Sequence, residues 1–184
     1  MNMLMAGVAL WTVAHLFKRL APVPRAKLGN AGKGLVAVVL ILSLVLMVKG
    51  YRAAEVVNLY YPPGWAVHVN NLLMLVAVML FGMSATKGQL RGKLRHPMLT
   101  GVMVWAFAHL LVNGDLASVV LFGGMFIWAV LEVTSINRAE EWERPEPGDP
   151  KRDLSLLVIT LAVYGVIAGV HNWLGVWPFP GAAG

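Results

Sequence analysis

The sequence predicts an all-α, polytopic integral membrane protein, a bundle of about six transmembrane helices, or five if the first apolar run does not span. Three observations predict it. Hydrophobic residues make up 58% of the 184-residue chain and charged residues only 13%, against roughly 25% charged in soluble domains. Six apolar runs of 16 to 23 residues recur along the chain, and a helix rising about 1.5 Å per residue needs about 20 residues to cross a hydrocarbon core about 30 Å thick. The charged residues fall almost entirely between those runs. Residues 1–184 are therefore read as a single transmembrane domain.

The runs cover residues 2–17, 34–51, 64–86, 97–113, 116–134 and 154–176. Leu, Met and Ala fill most of their positions and the alternation of barrel strands is missing, so each is expected to be helical. The first run has no basic segment ahead of it, and Lys18 and Arg19 follow it. That order predicts a retained anchor rather than a cleaved signal peptide. The separators KRLAPVPRAKLGNAGKG, NLYYPPG, KGQLRGKLRHP, NGD and NRAEEWERPEPGDPKRD read as loops. Pro97 suits the first turn of the fourth helix, and Asp115 suits the N-cap of the fifth. Tyr60, Tyr61, Trp65 and Trp177 fit an aromatic interface belt.

Lys and Arg number 13 in the first, third and fifth loops and 2 in the second and fourth. Positive loops tend to stay in the cytoplasm, so both termini are expected on the periplasmic or exterior side; with five spans the N-terminus would move inside. The same clustering accounts for the net charge of +6 and makes the lipid bilayer, not nucleic acid, the expected partner. Cysteine is absent, which excludes disulfides, thiolate metal sites and covalent haem attachment through CxxCH. The methionines show no repeated MxxM pattern, so packing is their expected role.

Depth along the helices sorts the histidines. His96 lies at the cytoplasmic surface beside Arg95, whereas His109 is about 21 Å further along a straight helix. His68 and His171 fall toward the same outer side as His109, and His15 lies near the inner side, three residues from Lys18. Gly101, Trp105, His109 and Val112 share one helical face, with Asn113 four residues beyond His109. Trp11 and His15 repeat the Trp105–His109 spacing, and His68 with Asn71 and Tyr164 with His171 make further polar pairs. An isolated membrane histidine can simply hydrogen-bond across helices for about 1 kcal/mol. Two or more converging on one interior point instead to iron or copper, and haem suits an apolar helical bundle. Depth alone pairs His109 with His68 or His171. Glu132, near the inner end of its helix, is expected to be solvated at the interface, with pairing to an arginine or binding of a proton as the alternatives.

The block RHPMLTGVMVWAFAHLLVNGDLAS, residues 95–118, resembles the NnrU family of bacterial membrane proteins. The similarity extends to LYYPPGWAVHVNNLLMLVAVML and to VAHLF in the first helix, covering roughly residues 5–135. The resemblance implies a multi-pass protein of the bacterial inner (cytoplasmic) membrane linked to denitrification and nitric oxide or other nitrogen-oxide metabolism. The same superfamily includes the zeta-carotene isomerase of oxygenic phototrophs, which uses a b-type haem to isomerise a cis double bond. Its haem-ligating histidines correspond to His15 and His109, with His68 as the substitute candidate. A cysteine of the isomerase corresponds to Ala106, so a switch to thiolate ligation is impossible here. Haem b held between helices by His15 and His109, with Trp105 and Asn113 shaping its surroundings, is the expected cofactor site. A small apolar or gaseous ligand is its expected partner, and electron transfer, gas sensing and an isomerase-like reaction all remain open. Whether the protein is an enzyme is not decided at this level.

Two other classes fit parts of the sequence. RHPMLTG, followed by Glu140 and Glu141, is similar to the RHPxYxG and Glu-Glu pattern of membrane methyltransferases that use S-adenosylmethionine, although Leu99 replaces the tyrosine. A non-catalytic assembly or scaffold protein would use the polar seam only to hold its helices together.

Overall fold

The computed structural model describes residues 1–181. Its helices are α1 (Asn2–Leu20), α2 (Pro22–Lys27), α3 (Gly29–Arg52), α4 (Ala66–Met83), α5 (Pro97–Val112), α6 (Leu116–Ala139) and α7 (Lys151–Trp173). A 3₁₀ turn covers Leu90–Gly92, and α6 contains a π-helical stretch at Val119–Gly123. Among the described residues, α1, α3, α4, α6 and α7 are long and apolar enough to cross a membrane. The fourth predicted run also forms a helix, α5, but its 16 residues reach only about 24 Å. The chain is thus an all-helical multi-pass membrane protein, with five full-length spans and one shorter apolar helix.

The first connector departs from the loop expected at residues 18–33. Pro22 and Pro24 sit in the first turn of α2, where the missing N–H costs nothing and the fixed φ favours the helix. The change of direction before α3 falls on Gly29, at φ +51°. A left-handed backbone there strains any residue with a Cβ.

Contacts divide the chain into two compact units: Met1–Tyr61 with Asn113–Ala139, and Pro62–Val112 with Glu140–Gly184. In the first, α1 and α3 pack most closely where glycine removes a side chain. A Cβ on Gly7 would stand 2.8 Å from the Met47 backbone nitrogen and 2.9 Å from the Ser43 carbonyl, and one on Gly50 would meet the Leu4 backbone. Lipid tails are as apolar as leucine, so such close approach supplies much of the association energy between membrane helices. Gly7→Leu is therefore expected to cost about 1–3 kcal/mol through overpacking. Thermal melting in mild detergent checks this against Gly165→Leu, whose added Cβ meets no neighbour and which should leave the midpoint nearly unchanged.

Helix α6 runs beside α1. Gly124 lies against Val8, Trp128 against Trp11 and His15, and Glu132 against Arg19. Asp115 caps α6 as expected: its carboxylate accepts from the Ser118 backbone N–H at 2.9 Å and from the Ser118 hydroxyl at 2.6 Å. With that hydroxyl proton committed, Tyr51 becomes the donor in its 2.8 Å bond to Ser118. Backbone bonds from Leu59 to Gly114 and from Leu116 to Val57 hold the preceding loop, and an isolated antiparallel bridge joins Asn58 to Asp115.

In the second unit α4 packs on α5 and α7. Leu80, Met83 and Leu156 form its buried cluster, flanked by Val76, Met79, Leu90 and Val104. Gly101 brings α5 against the Phe81 ring and the Ala77 carbonyl. Along α7 only Leu156 and Thr160 are fully buried, and the exposed Leu154, Val158 and Val166 are suited to lipid. At the start of α7, Asp153 accepts the backbone N–H groups of Gln89 at 3.0 Å and Leu90 at 3.3 Å. Those bonds tie the two neighbouring loops of this unit together.

Candidate histidine sites

Two tryptophan–histidine turns carry the candidate ligands, one in each unit. On α1, His15 Nδ1 lies 3.0 Å from the Trp11 carbonyl. On α5, His109 Nδ1 lies 2.9 Å from the Trp105 carbonyl. A carbonyl oxygen can only accept, so Nδ1 carries the proton in both, and Nε2 keeps its lone pair. The four-residue helical spacing brings about the contact, because it places each imidazole beside the carbonyl one turn back. A bond from Nδ1–H to a backbone carbonyl fixes the orientation and tautomer of a ligating histidine.

The surroundings of the two rings differ. His15 is wedged into an aromatic cluster, with its ring centroid 4.3 Å from Trp11 and 4.7 Å from Trp128. The two indoles meet edge to face at 5.4 Å. Both indole N–H groups are buried without a hydrogen-bond partner among the described residues. One turn further along α1, Arg19 donates to Glu132 at 2.8 Å, and the other Glu132 carboxylate oxygen is buried and lacks a hydrogen bond among the described residues. Glu132 is thus a buried ion-pair partner instead of the interfacially solvated group expected from its position.

His109 is half-buried, with the Trp105 ring at 5.3 Å. In the same unit His171 lies within electrostatic reach of it. His171 repeats the local geometry, with its Nδ1 2.8 Å from the Ile167 carbonyl. Sequence depth had offered His171 as a partner for His109, and this unit brings those two into mutual range. His68 is exposed in the first turn of α4, where its backbone N–H donates to Trp65. Asn113 belongs to the first unit, and its carbonyl accepts the Tyr60 hydroxyl at 2.9 Å. The Tyr60 phenol pKa is raised, first by partial burial and then by the nearby Asp115 carboxylate, which keeps it a donor.

The methyltransferase-like residues make backbone contacts in the second unit. The His96 carbonyl accepts both the backbone N–H and the hydroxyl of Thr100 at 2.9 Å. Arg95 donates to the Glu140 backbone carbonyl.

No three or more His, Asp or Glu side chains cluster for a metal ion among the described residues. An axial haem site asks for less, one or two neutral imidazoles with a free Nε2. His15 and His109 have that donor chemistry, and the unpartnered Trp11 and Trp128 N–H groups could meet carboxylate oxygens such as those at a porphyrin's edge. Each of the two imidazoles, taken in its own unit, therefore has the donor chemistry of a haem ligand.

Comparison with curated proteins and with solved structures finds no match for this chain. The family model described as NnrU protein matches residues 3–178, nearly the whole chain, extending the resemblance read from residues 5–135 through α7. The chain belongs to the NnrU family.

Proposed function

We infer that this membrane protein binds a b-type haem, with His15 and His109 as the ligands that the family resemblance implies, and serves nitrogen-oxide metabolism in the bacterial inner membrane. The observation that carries this reading is the repeated turn: two Trp-x-x-Ala-His segments, each with Nδ1–H on the tryptophan carbonyl and Nε2 left as the only ring lone pair. Bound haem would supply one-electron chemistry, and a gaseous ligand would bind only by displacing one of the two imidazoles. The chain's own part is to hold the imidazoles oriented by their Nδ1 bonds, and to surround them with apolar side chains that limit water. Trp105 sets the His109 tautomer through its carbonyl. Asn113 is tied to the Tyr60 loop through its carbonyl. Its role is to anchor the start of α6.

Expression with haem available, purification of the intact protein in mild detergent and absorption spectra before and after dithionite test the proposal. A stoichiometric Soret band with sharp reduced α and β bands is expected. A folded, colourless protein that takes up no added haem overturns it and favours the scaffold reading.

A further inference from the structure

Helices α1 and α3 meet closely at the Gly7 and Gly50 end and part at the other. There they leave an apolar groove of about 170 Å³ lined by Leu10, Ala14 and Phe17 of α1 and by Leu35, Val36 and Val39 of α3. No polar atom contributes to its surface. Ala14, small on the α1 side, leaves room there between the larger side chains that line the groove. In a bilayer, an unfilled apolar cleft of this kind is covered by hydrocarbon.

The end of the groove is basic. Lys18 follows Ala14 by one helical turn on α1, and Lys33 precedes Val36 by three residues on α3, so each helix contributes an ammonium group at the same end. Both lysines are exposed. Arg25 is engaged locally: its guanidinium packs over Gly32 and donates to the Gly29 carbonyl at 3.3 Å. Arg19 is paired with Glu132. The neighbourhood thus joins an apolar groove, with room for a short stretch of an acyl chain, to two lysines from different helices.

We propose that this groove is a binding site for an anionic glycerophospholipid, with one acyl chain lying between α1 and α3 and the headgroup phosphate held by Lys18 and Lys33. Basic residues next to a membrane helix attract anionic headgroups, but a generic positive loop lacks the second element found here, a cleft that selects where the lipid sits. The proposal concerns the first unit alone and does not depend on haem binding.

Native mass spectrometry of the full chain, equilibrated in mild detergent with equal amounts of phosphatidylglycerol and phosphatidylcholine of matched acyl chains, tests it. The wild type is expected to retain phosphatidylglycerol preferentially. Lys18→Gln/Lys33→Gln is expected to reduce that preference about 25-fold, from about 5-fold per lysine, and Lys18→Arg/Lys33→Arg should restore it. Val36→Phe, which fills the groove, should weaken retention of both lipids while the protein stays folded by thermal melting. The control Lys87→Gln/Lys93→Gln should behave as wild type. Equal retention of the two lipids by the wild type overturns the proposal. So does an equal loss of preference in the Lys87/Lys93 control, or full retention in a folded Val36→Phe protein.

Discussion

Glu132→Leu is expected to destabilise the protein by about 3–5 kcal/mol, because it leaves the Arg19 guanidinium charged inside the first unit without its carboxylate. The two side chains are only 20% and 10% exposed, which removes most of the water that would soften the loss. Arg19→Leu is expected to cost a similar amount by stranding Glu132. The double variant Arg19→Leu/Glu132→Leu should recover most of the loss, since replacing a whole buried pair with apolar side chains is often neutral or favourable. Melting of the four proteins in the same detergent gives the coupling between the two positions. Additive losses would show that the pair is solvated and contributes little. The pair also fixes the register of α1 against α6, and with it the position of Trp128 on the His15 ring.

His15→Ala and His109→Ala are each expected to abolish the low-spin spectrum of the haem-loaded protein, either by loss of haem or by a change to a high-spin, five-coordinate form. Removal of one axial imidazole changes the iron's ligand field directly, so the effect is close to complete rather than graded. His68→Ala is expected to leave the spectrum unchanged, because that side chain is exposed in the first turn of α4. His171→Ala is the informative control. A shift there equal to that of His109→Ala, with His15→Ala silent, would place both ligands in the second unit, which holds both His109 and His171. Trp105→Phe keeps the carbonyl that holds Nδ1, so it should preserve ligation.

The helical membrane class, the approximate spans, the cap at Asp115 and the family all follow from local information in the chain. Hydrophobic run length, the positions of Lys and Arg, proline at a helix start and a short polar residue before an apolar run act over a few residues each, so they can be read without knowing what lies across the bundle. The histidine tautomers belong to the same group, because the controlling carbonyl is only one turn away on the same helix.

Other features depend on partners distant in the chain. Glu132 could be solvated or paired, and only the packing of α6 on α1, set by Gly124 against Val8 and Trp128 against Trp11, brings Arg19 113 positions away into contact. The basic connector reads as a loop by composition, yet Pro22 and Pro24 begin a short helix in it and Gly29 follows in a left-handed conformation. The groove between α1 and α3 is equally invisible in one dimension, because it arises from where two helices touch and where they part. Run length and charge determined that this chain is a helical membrane protein. Tertiary packing alone decided which of its costly polar groups are paired, which are left with open valence, and where its apolar surface forms a cleft, because burial and hydrogen-bond satisfaction are properties of neighbours in space.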